Sequence, residues 1–437
     1  MSNSLRLGLR QIRVLHVGTS SNGGAGIAQV RIASAVEAAS KESTPVKCDN
    51  FFGNEHPLGS NLEFEPHRLR KFVTVGLHRF WSRGIPYLLG SSELRTVAKF
   101  RSGLGMAINR SNYDIIHLHW IGDGVLSIEE IGEIRKPIVW TFHDLWPVGG
   151  AAHYPATPIL KRETKMAREA ANNLRNRLQS VLLSSIDSAV RDRRKRSWRR
   201  QFVAVSPSHW LLEHVKQDSF WSEMPAFRVP NPISLTVSTD LKNPETSSGT
   251  RGKVLDLLFV SSSGISDPRK GWDLLAPCLQ ALKELLPSDV SDAVVLTTVG
   301  PGNPPPAIPG IHMRHLGELN QHQMSKIYRE ASLTLIPSVF DNFPNVALES
   351  IAHGTPVVGS YNSGIPEIVT HEFDGGLVDW SNPGSAASFI ASLLTSQEKL
   401  TEFSKRCLAK ASYEFSEEAV GKMYLDVYMA LLDGDKV

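Results

Sequence analysis

The sequence predicts an α/β chain built from two doubly wound, mostly parallel sheets, and three observations predict it. Short apolar runs alternate with helix-patterned segments through both halves. A length of 437 residues exceeds what one hydrophobic core usually serves. Residues 234–253, rich in Ser, Thr and Pro and without periodicity, read as a linker between the halves.

In the first half, residues 13–18 read as a buried strand running into a glycine loop that holds Gly23, Gly24 and Gly26, followed by a helix over 27–36. Such a turn lets backbone N–H groups approach an anion. A tight strand-to-helix turn with no ligand explains it equally, and Gln29 stands where a dinucleotide fingerprint has its third glycine. Residues 66–81 place Leu69, Phe72, Val73, Leu77 and Phe80 at helical spacing, with Arg68, Arg70, Lys71, His78 and Arg79 between them. This is either a helix packed in the domain or one lying on an anionic membrane surface with Trp81 at the interface. Two strands follow at 114–120 and 137–146, joined by a helix near 128–134. His119 ends the first. His143 falls where the second gives way to a loop, the edge at which open α/β sheets place ligands. From 155 to 201 the composition turns basic and helix-prone, and a strand at 202–206 leads toward the end of the first half.

The second half repeats the pattern, with strands at 254–260, 293–299, 311–316, 333–336 and 356–359, and helices at 272–286, 321–331, 346–352 and 383–394. A last amphipathic helix is expected over 413–432. The most informative stretch is 337–356. It follows a buried strand, Pro344 suits a helix start, and Gly354 suits its stop. The helix would aim its first N–H groups and the positive end of its dipole at whatever lies above the strand. Asp341 and Glu349, with seven residues between them, flank that point. An anion-attracting turn beside two hydroxyl-binding carboxylates suits a sugar nucleotide, a diphosphate with diols at both ends. The alternative is an ordinary cap and a solvated helix residue.

This stretch, with Gly354-Thr-Pro356-Val-Val and Gly364-Ile-Pro366-Glu367 after it, resembles the signature of the family 4 retaining glycosyltransferases. Asp341 stands where that family has its first glutamate, and Lys270-Gly271 matches the family's Lys-Gly before a helix. Ile265 stands where an arginine is expected, and Arg269 is the nearest replacement. The resemblance is closest to bacterial enzymes that build exported polysaccharide, of the exopolysaccharide and colanic-acid type. It implies the GT-B fold, two Rossmann-like domains facing across a cleft. The expected division is an acceptor-binding domain over 1–235, a nucleotide-sugar-binding domain over 236–413, and a helix over 414–437 that crosses back to the first domain. It further implies donor binding by Arg269, Lys270, Phe343, Pro344, Asn345 and Glu349, with His143, Asp341, Glu349 and Lys270 as the catalytic group. Gly23 and Gly24 would line the cleft. The family retains anomeric configuration, and with no obvious covalent nucleophile in the sequence, front-face displacement is the expected course.

Composition bounds the partners. Hydrophobic content of 41% and charged content of 21% describe a globular protein. No run approaches the roughly 20 apolar residues that span a bilayer, and residues 1–10 lack the continuous apolar stretch of a signal peptide. The three cysteines, Cys48, Cys278 and Cys407, are scattered without metal spacing and read as reduced thiols of a cytoplasmic protein. Net charge is +3, yet residues 191–200 carry seven basic residues and one acid, so the rest of the chain sums to −3. That run suits an anionic membrane surface at the inner face, a lipid-linked acceptor, or a merely solvated face. No zinc spacing, aromatic ladder or reading module accompanies it, so nucleic acid is not expected as a partner. No Asp-x-Asp motif occurs, so neither a metal nor a cofactor is expected beyond the nucleotide-diphosphate sugar as co-substrate. The expected reaction moves a sugar from that donor to a hydroxyl of a glycan or lipid-linked acceptor. The rival readings are a sugar-nucleotide epimerase or other nucleotide-binding enzyme on the same fold, and a non-catalytic membrane-associated scaffold.

Overall fold

The computed structural model describes residues 11–40, 45–55, 75–84, 87, 94–154, 174–198, 202–235, 255–265 and 267–433, with side chains from 179 onward in the helix that starts at 174. The chain forms two compact units, one of Met1–Pro230 with Val420–Val437 and one of Asn231–Ala419.

The first unit contains the strands β1 (Ile12–Gly18), β2 (Val46–Phe52), β3 (Ile115–Leu118), β4 (Ile138–Thr141), β5 (Phe202–Ser206) and β6 (Ala226–Arg228). They form one sheet in the order β2-β1-β3-β4-β5-β6, and every pairing is parallel. Both faces are covered, which is why the inner strands read as unbroken apolar runs rather than alternating ones. On one face Leu15, Val17, Ile116, Leu118 and Trp140 join a core that includes Trp146, Trp198 and Trp221. On the other, Val14, Ile115, Val139 and Val203 meet Ile32 and Val36 of the Gly23–Ala39 helix, and Val420, Tyr424 and Tyr428 of the Glu417–Asp433 helix.

The second unit contains β7 (Leu255–Val260), β8 (Val294–Val299), β9 (His312–His315), β10 (Leu333–Ile336), β11 (Val357–Ser360) and β12 (Gly375–Val378), all parallel, in the order β12-β11-β10-β7-β8-β9. In each sheet the chain winds outward in both directions from a central pair of strands: β1 and β3 in the first, β7 and β10 in the second. Ligands of open α/β sheets bind outside the carboxyl ends of such a pair.

Several expectations need correction. The strands β2, β6 and β12 were not foreseen, because Lys47, Asp49 and Asn50 interrupt β2, β6 is three residues long, and Gly375 and Gly376 open β12. The last helix starts at Glu417 rather than 413. Tyr413 belongs to a separate Gln397–Glu414 helix, and the chain breaks at Phe415, whose carbonyl accepts from Ile233 N–H at 2.7 Å. Of the amphipathic stretch 66–81, residues 66–74 lie outside the described residues. In the remainder the expected apolar face is not kept: Leu77 and Phe80 are exposed along with Arg79, while His78 is buried with Nε2 3.1 Å from the Phe100 carbonyl. Most of the 234–253 linker and residues 155–173 and 199–201 of the basic region also lie outside the described residues.

The basic run is partly structural. Arg193 pairs with both oxygens of Glu129 at 2.7 and 2.8 Å and donates to the Val97 and Ala98 carbonyls. Arg194 is buried, donates to the Gly149 and Gly150 carbonyls, and lies over the rings of Trp146 and Trp198. Only Arg191, Lys195 and Arg196 among the described cations of the run are exposed. No helix among the described residues is long and apolar enough to cross a membrane.

Candidate functional site

In the second unit, the loops that follow β7 and β10 converge above the central strand pair. The loop after β7 passes through Ser261 and Gly264, whose carbonyl accepts from Ser261 Oγ at 2.6 Å, and reaches a short turn at Pro268–Lys270. Gly271 then opens the Trp272–Leu285 helix with φ at +76°, close enough to the Pro337 carbonyl that no side chain fits. Val339 N–H donates to the Arg269 carbonyl at 2.8 Å, tying the β7 loop to the β10 loop. This packing brings Lys270 Nζ to 2.7 Å from Asp341 Oδ2, with both side chains mostly buried. Residues 71 positions apart thus form one ion pair at the point where open sheets bind ligands.

Arg269 is held differently. Its Nε and guanidinium N–H groups reach Asp267 at 3.0 and 2.5 Å. Burial pushes the Asp267 carboxyl up, but the hydrogen bonds and charge of Arg269 more than offset this and hold it below the usual range. The positive charge of Arg269 is therefore locally compensated.

The Asn345–Ala352 helix starts directly after Pro344, which serves as its N-cap. The first N–H groups of a helix have no intrahelical acceptor and carry the positive end of its dipole. Glu349 lies half-buried one turn on, and its Oε2 accepts from Tyr328 Oη at 3.0 Å. Tyr328, almost fully buried on the Gln321–Glu330 helix, is a site neighbour that the sequence reading did not single out. The side chain of Phe343 is buried in the core against Phe415, at 5.9 Å between ring centres. Asn345 faces Asn231, whose Nδ2 is 3.4 Å from its Oδ1.

In the first unit, the corresponding point lies above β1 and β3. Gly23 begins the helix with φ at +80°. Donors of this loop are already engaged, since Glu55 Oε1 accepts from Ser21 N–H at 2.6 Å and from the Ser20 and Ser21 hydroxyls at 3.0 and 2.9 Å. Burial pushes the Glu55 carboxyl up, and these hydrogen bonds more than reverse it. The Gly23-Gly24 loop is thus braced by a resident carboxylate. Gln29 fills the space beneath it, donating to the His16 carbonyl at 3.3 Å and to Asn50 Oδ1 at 3.1 Å.

His143 follows β4 and is half-buried, with Nε2 3.2 Å from His119 Nδ1. Its neighbour Asp144 is structural: it accepts from Trp120 Nε1 at 2.9 Å and from Trp146 N–H at 2.9 Å, and it pairs with His153 at 2.6 Å. His119 in turn lies 3.0 Å from His16 Nδ1. His117 is stacked on His119, with its two nitrogens on the Tyr428 hydroxyl at 2.6 Å and the Thr141 hydroxyl at 2.7 Å. One ring nitrogen each of His16, His117 and His119 lies within 4.8 Å of the others, a spacing compatible with a metal ion. Both nitrogens of His117 are bonded to hydroxyls and His16 Nδ1 meets His119 Nε2, while His16 Nε2 is buried with no hydrogen-bond partner. Burial drives His16 down to about 3 and His143 to about 4, and holds His117 and His119 well below the ordinary 6.5.

Comparison with known proteins agrees with this architecture. Against solved structures, the chain is similar to a sucrose-phosphate synthase from Thermosynechococcus elongatus (TM-score 0.63, 16% identity, 98% of this chain and 100% of that one). It is also similar to Anabaena Alr3699/HepE in complex with UDP and glucose (TM-score 0.55, 15% identity, 96% and 100%). At such identities the likeness speaks to fold, and the fold is GT-B, two Rossmann-like α/β units. Residues 65–236 match the family described as Glycosyltransferase Family 4, and residues 255–396 match Glycosyl transferases group 1. A D-inositol 3-phosphate glycosyltransferase of Corynebacterium efficiens is 25% identical over 369 residues, 79% of this chain and 80% of that protein. One from Segniliparus rotundus is 39% identical over 112 residues, 26% of this chain and only 25% of its own length. The chain thus carries a glycosyltransferase family 4 domain followed by a glycosyl transferases group 1 domain.

Proposed function

We propose that the chain transfers a sugar, with retention of anomeric configuration, from a nucleoside diphosphate sugar to a hydroxyl of a lipid-linked glycan in polysaccharide biosynthesis. No metal or cofactor is proposed beyond the donor itself. The observation that carries the reading is the Lys270–Asp341 pair beside the Asn345–Ala352 helix start, above the central strands of the second sheet. Breaking a sugar–phosphate bond develops negative charge on the leaving diphosphate and positive charge on the sugar, so catalysis rests on positioned charges and dipoles. Lys270, Arg269 and the helix start are assigned to the diphosphate. Glu349, oriented by Tyr328, is assigned to the nucleotide ribose, and Asp341 and His143 to the donor sugar.

Two facts about related proteins support the donor class: the Anabaena structure of like fold holds UDP and glucose, and the Corynebacterium relative carries a glycosyltransferase name. For the acceptor, the exposed Arg191, Lys195 and Arg196 suit an anionic lipid surface or lipid diphosphate at the inner face of a membrane. Gln29 in place of a third glycine disfavours dinucleotide chemistry.

The test is transfer from labelled nucleotide sugars to a lipid-linked acceptor. Lys270→Ala and Glu349→Ala should each lower kcat/KM by roughly 10²-fold or more, and unchanged rates in both would exclude this site. The anomeric proton of the product reports retention, and an inverted linkage would refute the front-face course.

A further inference from the structure

His16, His119 and His143 come from the adjacent strands β1, β3 and β4 or the residues just after them, and their rings form a hydrogen-bonded line. His16 Nδ1 meets His119 Nε2 at 3.0 Å, and His119 Nδ1 meets His143 Nε2 at 3.2 Å. His16 and His119 are fully enclosed, and the far nitrogen of His16, Nε2, is buried with no hydrogen-bond partner. At the opposite end, His143 Nδ1 makes no hydrogen bond among the described residues and is not enclosed.

That single orphaned nitrogen fixes the direction of the line. A neutral imidazole has one N–H and one bare nitrogen, so only two arrangements satisfy both internal contacts. In one, every ring carries its proton on Nε2, which leaves a buried N–H of His16 with nothing to donate to. In the other, every ring carries its proton on Nδ1, and His16 buries only a bare lone pair. Orphaned buried donors are the rarer and costlier case. The second arrangement therefore holds: His16 donates to His119, His119 donates to His143, and His143 presents Nδ1–H outward.

We infer that His119 and His16 are positioning residues that lock His143 as the Nδ1–H tautomer, so that it donates a hydrogen bond to an oxygen of the transferred sugar. The role of His143 at the sugar rests on the proposed transfer reaction; the tautomer does not. A neutral donor fits the chemistry, because an imidazolium beside an oxocarbenium-like sugar would oppose the developing positive charge. Burial keeps all the rings of the line neutral near pH 7, and His117, stacked on His119 and pinned by Tyr428 and Thr141, keeps the line from turning.

The experiment uses the full chain with 15N-labelled histidine, without substrate, in long-range 15N–1H correlation spectra at neutral pH. His143 is assigned by its absence in His143→Ala. An Nδ1–H pattern for His143 is expected, and an Nε2–H or averaged pattern overturns the inference whether or not the chain transfers a sugar. Kinetics then test the consequence. His119→Leu should lower kcat at least about 30-fold with donor KM within about threefold, whereas His119→Asn, whose amide N–H can take the place of Nδ1–H, should recover to within about fivefold of wild type. Equal losses in the two variants would overturn the positioning role. A stoichiometric metal ion bound to the wild type and lost in His16→Asn would do the same, since a coordinated nitrogen carries no proton.

Discussion

Gly271→Ala, set against Gly23→Ala, tests whether the loop geometry around Lys270 is sterically fixed. Both glycines sit in the left-handed region, at φ of +76° and +80°, where a side chain costs roughly 1–2 kcal/mol. A Cβ added at Gly23 meets nothing within 4 Å, whereas one at Gly271 would lie 2.1 Å from the Pro337 carbonyl oxygen. That oxygen belongs to backbone, and the Val339–Arg269 hydrogen bond at 2.8 Å ties its loop to the loop carrying Gly271. Relief therefore requires both loops to move, and overpacking of this kind adds about 1–3 kcal/mol. Alanine also narrows the unfolded ensemble, which returns about 0.4–1 kcal/mol at either position. Gly23→Ala should thus cost about 1 kcal/mol and Gly271→Ala about 3 kcal/mol in urea unfolding of the full chain followed by circular dichroism. The displaced segment carries Lys270 and Asp341, so titration calorimetry with UDP should find Gly271→Ala binding at least about tenfold weaker than wild type. Equal stability losses in the two variants would refute the steric argument.

Two more outcomes follow from buried ionisable groups of the first unit. His16 and His143 fall from 6.5 in the unfolded chain to about 3 and about 4 in the fold, so between those limits the unfolded state binds more protons. Their stabilisation is complete above pH 6.5 and is lost as pH falls through that window, with a slope of about 1.4 kcal/mol per pH unit for each titrating ring; unfolding midpoints unchanged between pH 7 and pH 5 would contradict it. Arg194→Gln removes a buried guanidinium from two carbonyls and two tryptophan rings and should cost about 2–4 kcal/mol, while Lys195→Gln, exposed on the same run, should stay within about 0.5 kcal/mol. Tryptophan fluorescence during urea unfolding compares them, and matched losses would return Arg194 to the solvated face.

What was legible in the sequence was local. Apolar runs gave most strands of both sheets because those strands are buried on both faces, and Pro344 marked the start of a helix beside the candidate site. Strand order was not legible, since nothing near β7 announces that β10 rather than a later strand lies beside it. Yet that adjacency is what brings Lys270 to Asp341. His16 read only as a strand residue for the same reason: its meaning depends on the β1–β3 register, which sets it opposite His117, and on Tyr424 and Tyr428, contributed by the last helix to the same unit. The basic run misled in the opposite direction. Charge density alone cannot tell Arg194, whose partners lie some 45 residues earlier in the chain, from Lys195, which faces water.

The two units differ electrostatically in a way the proposed reaction requires. The second holds its cations in ready-made pairs, Lys270 on Asp341 and Arg269 on Asp267. A diphosphate can recruit such a lysine by exchange of partners, and Asp341, once released, is free to accept from hydroxyls. A lysine with no counter-charge would instead raise ground-state affinity for the diphosphate as much as transition-state affinity, which lowers KM without raising kcat. The first unit supplies no charge from its histidine line, only oriented dipoles held in place by burial. On the proposed assignment, a neutral sugar that becomes cationic while its leaving group becomes anionic would be served by that division: the second unit would supply charge for the diphosphate, and the histidine line an uncharged donor for the sugar. If this is why Asp341 is needed, Asp341→Asn should bind UDP at least as tightly as wild type while kcat falls by roughly 10²-fold, a split that loss of an ordinary surface ion pair would not produce.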